Sequence, residues 1–173
     1  MTESRRLFFA VWPDAAAAKQ LHDRAREGQR ACGGRLMRRE TLHLTLAFLG
    51  DIAAARCADA AAVAADIAFD AFTLTLDRLG YWQHNRILWA GGESPALSAT
   101  AAGLGDGLRA AGFRLEARPF VAHMTLLRDA RCPAPPALEA PISWPVSEFT
   151  LVESALSARG SQYQVVGRWP ASA

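Results

Sequence analysis

Cysteine is scarce in this chain: Cys32, Cys57 and Cys132 are the only three among 173 residues. An odd number, widely spaced and without a Cys-x-x-Cys pair, supports neither a disulfide framework nor a zinc site, and it fits a protein of the reducing cytoplasm. Long hydrophobic runs are missing as well. The apolar stretch Leu7 to Trp12 ends at Pro13, too short for a signal-peptide core or a membrane span. Nor does one sign of charge dominate. Lys and Arg number 19 against 17 Asp and Glu, a net charge of +2, which permits an anionic ligand but lacks the basic excess of a protein that tracks along nucleic acid. No Gly-x-Ser-x-Gly elbow occurs, and the glycines from Gly103 to Gly107 match neither the P-loop nor the dinucleotide pattern. Serine-nucleophile and nucleoside-triphosphate chemistry therefore have no signature here.

Hydrophobic residues make up 51% of the chain, enough for an ordinary core in one domain or two small lobes. Arg5 to Trp12 reads as a buried strand closed by Pro13-Asp14. Asp14 is a plausible N-cap for a helix from Ala15 to Ala31, stopped by Gly33-Gly34. Leu36 to Arg39 fits a short strand, and Leu42 to Leu49 a longer one ending at Gly50-Asp51. The alanine-rich stretch Ala53 to Ala68 predicts a second helix, and Phe72 to Leu79 alternates as a strand does. Arg86 to Ala90 is a further strand. Pro95 to Ala111 predicts a helix weakened by Gly103, Gly105 and Gly107, each costing about 1 kcal/mol relative to Ala. Val121 to Leu127 is another strand. Five of the nine prolines follow between Pro133 and Pro145 and suggest a surface loop. Phe149 to Ser157 and Gln162 to Trp169 close the chain as a hairpin.

Two tetrapeptides stand out, His43-Leu44-Thr45-Leu46 and His123-Met124-Thr125-Leu126, 80 residues apart. On a strand, successive side chains alternate faces, so each His shares a face with its Thr. Leu42, Leu44, Leu46, Met124 and Leu126 lie behind them. The repeat extends further. Arg6 to Ala10 matches Arg86 to Ala90 at an offset of 80, Gly33 matches Gly112 at 79, and Phe72-Thr73-Leu74 matches Phe149-Thr150-Leu151 at 77. Landmarks in one order at nearly one offset imply a duplicated unit: an α+β fold of two pseudo-equivalent lobes with mostly antiparallel sheets.

A single His on a strand is more often structural than functional. A matched pair on the face away from the leucines is different, because a hydrophobic repeat needs no polar couple there. Two such couples supply a base, an acid and two hydroxyl donors, a set suited to cleaving a phosphate ester without metal. Zinc would want three or four ligands, and the motifs offer no Cys cluster, no His-x-x-x-His and no carboxylate. His22 and His84 have no copy in the other half and read as surface residues.

The two His-x-Thr-Leu motifs, Arg39-Glu40-Thr41-Leu42 before the first, Phe48-Leu49-Gly50 after it and Arg118-Pro119-Phe120 before the second together resemble the two-histidine phosphoesterase superfamily. They are most similar to its LigT-like branch, the RNA 2',3'-cyclic phosphodiesterases first described as 2'-5' RNA ligases. The resemblance implies one domain over residues 1–173 built of two lobes, about 5–80 and 86–169, with the His-x-Thr strands facing a central groove. It implies hydrolysis of a terminal 2',3'-cyclic phosphate to a 2'-phosphate with no cofactor and no metal. By resemblance His43 is the proton donor to the leaving 3'-oxygen, His123 the proton acceptor that activates water, and Thr45 and Thr125 hydrogen-bond the phosphate. Arg128 matches a basic position that pairs with the phosphate. Strand parity would put it behind the sheet with Leu126, so that role requires the strand to end or bulge first. Val121-Ala122 departs from the proline that many relatives carry before the second His.

The implied partners are RNA ends or nucleotides bearing a 2',3'-cyclic phosphate, handled by a cytoplasmic monomer with no membrane and no obligate protein partner. Phe48, Tyr81, Trp82, Trp89 and, more weakly, Tyr163 could stack on a base, with core packing as the alternative. Arg35, Arg38, Arg39 and Arg131 could guide a backbone, or merely be solvated. Three rival functions share the same residues: an RNA-end binding module without turnover, a 2'-5' RNA ligase, and a phosphodiesterase for another small cyclic phosphate.

Overall fold

The computed structural model describes residues 3–173. Strand β1 (Ser4–Val11) buries Leu7 to Val11. Helix α1 (Ala15–Cys32) starts where Asp14 Oδ1 accepts the Ala17 N–H at 2.8 Å, a cap worth about 1 kcal/mol, and stops at Gly33. Strand β2 (Arg35–Leu36) and a 3-10 turn over Arg39–Thr41 lead into β3 (Leu44–Ala53). The strand runs past Gly50 rather than stopping there. Helix α2 (Cys57–Ala65) is shorter than the alanine content suggested. The single strand expected over Phe72 to Leu79 is broken at Asp77 into β4 (Phe72–Leu76) and β5 (Arg78–Trp82). Then come β6 (Ile87–Gly91), α3 (Pro95–Ala110), β7 (His123–Arg128), β8 (Ile142–Val146), β9 (Glu148–Ser157) and β10 (Gly160–Pro170).

The three glycines do not interrupt α3. The helix is continuous, capped by the Ser94 hydroxyl, and a Cβ added at Gly107 would stand 2.7 Å from Val63 of α2. At that contact the glycine is what lets the two helices approach. The proline-rich stretch is likewise more than a loop. It ends in β8, where Pro145 pairs with Thr73 of β4 in a separate two-stranded sheet, and such a short edge strand tolerates a residue without an N–H.

The main sheet runs β10-β9-β1-β3-β7-β6-β5, with β2 beside β7, and its described pairs are antiparallel. The α+β duplication is visible in it: β3 and β7 meet at the centre, flanked by β1 and β6. The halves interlock, however. β5 flanks β6 and β9 flanks β1, so each lobe is completed by a strand from the other half of the chain. The likeness of Phe72–Leu74 to Phe149–Leu151 is consequently not a structural equivalence, since these segments lie in different sheets. Gly33 and Gly112 hold as a pair, both at positive φ just past a helix.

One face of the main sheet is covered and the other is open. Leu44, Leu46, Met124 and Leu126 join Leu21 of α1, Leu97 and Leu104 of α3, Leu74 of β4 and Trp144 of β8 in one core. Each such side chain contributes roughly 1.5–3 kcal/mol by leaving water. That burial fixes which way β3 and β7 face, because a slip of one residue would expose their leucines. The alternate residues, His43, Thr45, His123 and Thr125, are thereby presented on the open side.

Cys32 and Cys132 are joined as a disulfide across 100 residues of sequence, and Cys57 is free. This corrects the reading of the three cysteines as supporting no disulfide, on which the expectation of a reducing cytoplasm rested. Spacing could not show it, because the pair is brought together only by β2 lying against β7. Among the described residues no helix is long and apolar enough to cross a membrane.

Candidate active site

The central strands touch through a single registered pair, Leu44 with Met124. Continued one residue either way, that antiparallel register puts His43 in the row of Thr125 and Thr45 in the row of His123. Each imidazole thus stands beside the other copy's hydroxyl. The two histidines are diagonal neighbours, for which sheet geometry gives a separation of roughly 7–8 Å, room for a phosphate between them.

Both rings are anchored alike. His43 Nδ1 donates to the Thr41 carbonyl at 2.8 Å, and His123 Nδ1 donates to the Val121 carbonyl at 2.8 Å. A carbonyl can only accept, so the Nδ1 proton is fixed in both and each Nε2 is left with its lone pair towards the open face. At His43 that lone pair accepts from the Thr45 hydroxyl at 3.2 Å. Among the described residues Thr125 makes no such bond to His123.

The two imidazoles do not keep their ordinary pKa. Burial lowers His43 to about 4, partly opposed by the Thr41 carbonyl and assisted by the charges of Arg128 and His123. His123 is also lowered, chiefly by burial and then by Arg128 and Arg118, with the Val121 carbonyl opposing. A donor and acceptor straddling 6.5 in the free protein, as unperturbed rings would give, is therefore not what the site holds. Both are neutral at pH 7 before substrate binds.

The condition on Arg128 is met. Pairing along β6 jumps from Leu88–Leu127 to Trp89–Thr125, passing over Leu126, so Leu126 and Leu127 are both buried and Arg128 emerges on the side of His123. The same slip occurs in the first lobe. Along β1 the partner jumps from Phe9–Ala47 to Ala10–Thr45, passing over Leu46. A bulge at the Leu of His-x-Thr-Leu is thus part of the duplicated unit. It also shifts the repeat by one: Ala10 and Trp89 occupy equivalent places, 79 residues apart rather than the 80 of the sequence match. In the first lobe the place of Arg128 belongs to Phe48, 41% exposed, with the Arg6 guanidinium 4.8 Å from its ring centre.

Aromatic residues wall the groove unevenly. Phe8, Trp12 and Tyr163 lie 4.8, 5.3 and 5.2 Å from His43, and Trp82 lies 4.5 Å from His123 with Trp89 against it at 5.2 Å. Phe8 and Trp12 were not legible as site residues, since a buried-strand pattern assigns both to the core. Tyr81, by contrast, turns away and donates to the Ala130 carbonyl. Trp12 is held by its indole N–H to Thr150 Oγ1 at 2.9 Å, a buried hydroxyl bonded in turn to the Ala10 carbonyl. Arg38 and Arg39 are occupied by the Ser161 and Ala15 carbonyls. His22 lies on α1, and His84 lies in the β5–β6 turn with its ring 6.4 Å from that of Trp82. Among the described residues no group of three or more His, Cys, Asp or Glu side chains is placed to hold a metal ion.

Comparison with known proteins agrees with this geometry. The RNA 2',3'-cyclic phosphodiesterase of Escherichia coli (strain K12) is 37% identical over 175 residues, spanning 98% of this chain and 98% of its own. The crystal structure of E. coli LigT in apo form superposes with a TM-score of 0.89 at 36% identity over 99% of this chain and 100% of that one. LigT complexed with 3'-AMP gives 0.91 at 34% identity, with the same coverage. The family model described as LigT like phosphoesterase matches twice, over residues 11–89 and 92–161, once for each His-x-Thr-Leu motif, and the chain belongs to the LigT-like phosphoesterase family.

Proposed function

We propose that this protein is an RNA 2',3'-cyclic phosphodiesterase that hydrolyses a terminal 2',3'-cyclic phosphate to a 2'-phosphate, by acid–base catalysis and without a metal. The observation that carries the reading is the matched pair of Nδ1-anchored histidines, each with Nε2 turned to the open face and each in register with the other motif's threonine. Relatives named for this activity, at 37% and 30% identity over most of both chains, support the substrate class.

In the proposed reaction His123 Nε2 takes a proton from water as the water oxygen bonds to phosphorus. The P–O3' bond breaks, and His43 Nε2 gives a proton to the leaving 3'-oxygen. His43 begins neutral, so it must be charged before it can give. A phosphate monoanion bound between the rings opposes the charge of Arg128 and favours the imidazolium, which supplies the donor only once substrate is present. Thr45 and Thr125 bond the phosphoryl oxygens, and the positive field of Arg128, which reaches both imidazoles from further along β7, helps to stabilise the charge that accumulates on them. Each proton transfer is worth about 10²–10⁴ in rate.

Residues 1–173 act as one unit of two interlocked lobes, 5–80 and 86–169. The enzyme works as a monomer, a state supported by large exposed apolar side chains that are few and scattered, Phe48, Val121, Leu156 and Val166 among the described residues. The decisive assay presents RNA ending in a 2',3'-cyclic phosphate, with and without EDTA and with and without a 5'-hydroxyl RNA. A 2'-phosphate product formed equally in EDTA is expected. Activity lost to EDTA and restored by Zn²⁺ or Mn²⁺ would refute the metal-free reaction, 2'-5' joined product would make the protein a ligase, and binding without product would make it a binding module.

A further inference from the structure

Strand β2 is only two residues long, yet it places Arg35 directly opposite Arg128 on β7. The next pair, Leu36 with Leu127, faces the covered core, so both guanidinium side chains belong to the open face that carries His123 and Thr125. Like charges directly opposite in a sheet are unfavourable. Nothing among the described residues relieves them, since Asp129, the adjacent carboxylate, is taken by Arg86 at 3.2 Å.

The surrounding chain holds this repulsive pair in place. Met37 N–H donates to the Leu126 carbonyl at 3.0 Å, Arg131 N–H to the Cys32 carbonyl at 2.8 Å, and the Gln29 side chain to the Gly34 carbonyl at 3.0 Å. The Cys32–Cys132 disulfide joins the flanks. Gly34 has φ +87, and a Cβ there would lie 2.6 Å from the Arg128 carbonyl oxygen, so only glycine allows β2 to come this close. Two paired cations without an acid, fixed by a local framework, make a site for an anion that accepts from both guanidinium groups.

Resting on the phosphodiesterase reading, we propose that Arg35 and Arg128 together bind the phosphate on the 5' side of the terminal nucleotide, so that the site selects an RNA end over a free cyclic nucleoside phosphate. Position favours this over a second hold on the cyclic phosphate itself. Arg128 lies three residues beyond Thr125, about 10 Å along the strand, and Arg35 is across from it at the end of the groove away from the histidine pair. Of the two, only Arg128 contributes to the field that lowers both imidazoles. Chemistry narrows the ligand further. A nucleotide whose 2' and 3' oxygens are closed in the cyclic phosphate has one remaining phosphate position, the 5' oxygen, and in RNA that is the internucleotide linkage.

The test compares three substrates with the full-length protein: a nucleoside 2',3'-cyclic phosphate, a dinucleotide ending in the same group, and that dinucleotide with an uncharged methylphosphonate linkage. The dinucleotide should show kcat/KM roughly tenfold above the other two, carried mainly by KM, as expected for one charge-assisted contact. Arg35→Gln should abolish that preference. The idea is overturned if wild type shows no preference, if the methylphosphonate substrate retains it, or if Arg35→Gln preserves it or lowers the nucleoside and dinucleotide substrates in parallel. The methylphosphonate arm needs no variant, so it decides even if Arg35→Gln folds poorly. Failure of wild type to turn over any of the three would instead refute the phosphodiesterase reading.

Discussion

The two histidine strands share a motif, a carbonyl anchor for Nδ1 and a bulge at the following leucine, yet their surroundings differ. His43 is enclosed by Phe8, Trp12 and Tyr163, and its Nε2 is already met by Thr45. His123 has Trp82 beside it and feels the guanidinium groups of Arg128 and Arg118. After the bulge the first strand presents Phe48 where the second presents Arg128. The duplicated unit therefore builds two equal imidazole–hydroxyl couples, and residues outside the motif make them unequal. Because the larger lowering is at His43, the more enclosed ring, burial rather than the motif sets the difference in proton affinity.

The largest effect should come from the shared element. His43→Ala and His123→Ala should each reduce kcat about 10²–10⁴-fold with far-UV circular dichroism unchanged. A variant retaining half its activity would end the idea of two indispensable partners.

The asymmetric position comes next. Arg128→Phe, which gives the second strand the residue of the first, should lower kcat/KM about 10–100-fold. It should also raise the pKa of both histidines, since a nearby cation is removed. Unchanged titrations by NMR would show that Arg128 does not face the groove.

Thr45→Val and Thr125→Val should each cost roughly tenfold in kcat, the scale of one hydrogen bond. Equal losses would mean that the resting bond from Thr45 to His43 has no catalytic consequence, and a larger loss for Thr45 would give it one.

The smallest effect is on pH dependence. The profile of kcat/KM follows the free protein, where both histidines lie below 6.5, so its optimum should fall on the acid side of 6.5. Stability follows the same sign. The folded pKa of His43 is depressed, so the fold is favoured above pH 6.5 and loses that advantage as pH falls from 6.5 towards about 4. Urea midpoints should drop across that window, and His43→Gln should flatten the drop. An optimum above 7, or equal slopes in variant and wild type, would remove burial as the source of the asymmetry.

Much of this was legible in residues alone. Alternation placed each His with its Thr and opposite the leucines. Asp14, Pro95, Gly33 and Gly112 sit at the ends of α1 and α3 where local backbone chemistry needs them, which is why those two helices could be read closely, whereas α2, with no side-chain cap in its alanine run, was read too long at both ends. Arg128 was legible as a candidate but not as a neighbour of the histidines. A bulge is a property of two strands in register, and one strand's sequence carries only a parity that the bulge reverses. Phe8 shows the same limit: the sequence match equates it with Leu88, yet the slip of one residue puts Phe8 against His43 and Leu88 in the core behind.

By itself the sequence determined the duplicated couples, the α+β elements and the face each couple occupies, because these depend on side-chain alternation and on contacts within a few residues. Only the tertiary structure decided that the halves exchange their outer strands, that Cys32 meets Cys132, and that Arg35 stands opposite Arg128 at the end of the groove. Those facts rest on pairing between segments far apart in the chain, where register is set by the joint burial of both partners and no local pattern records it.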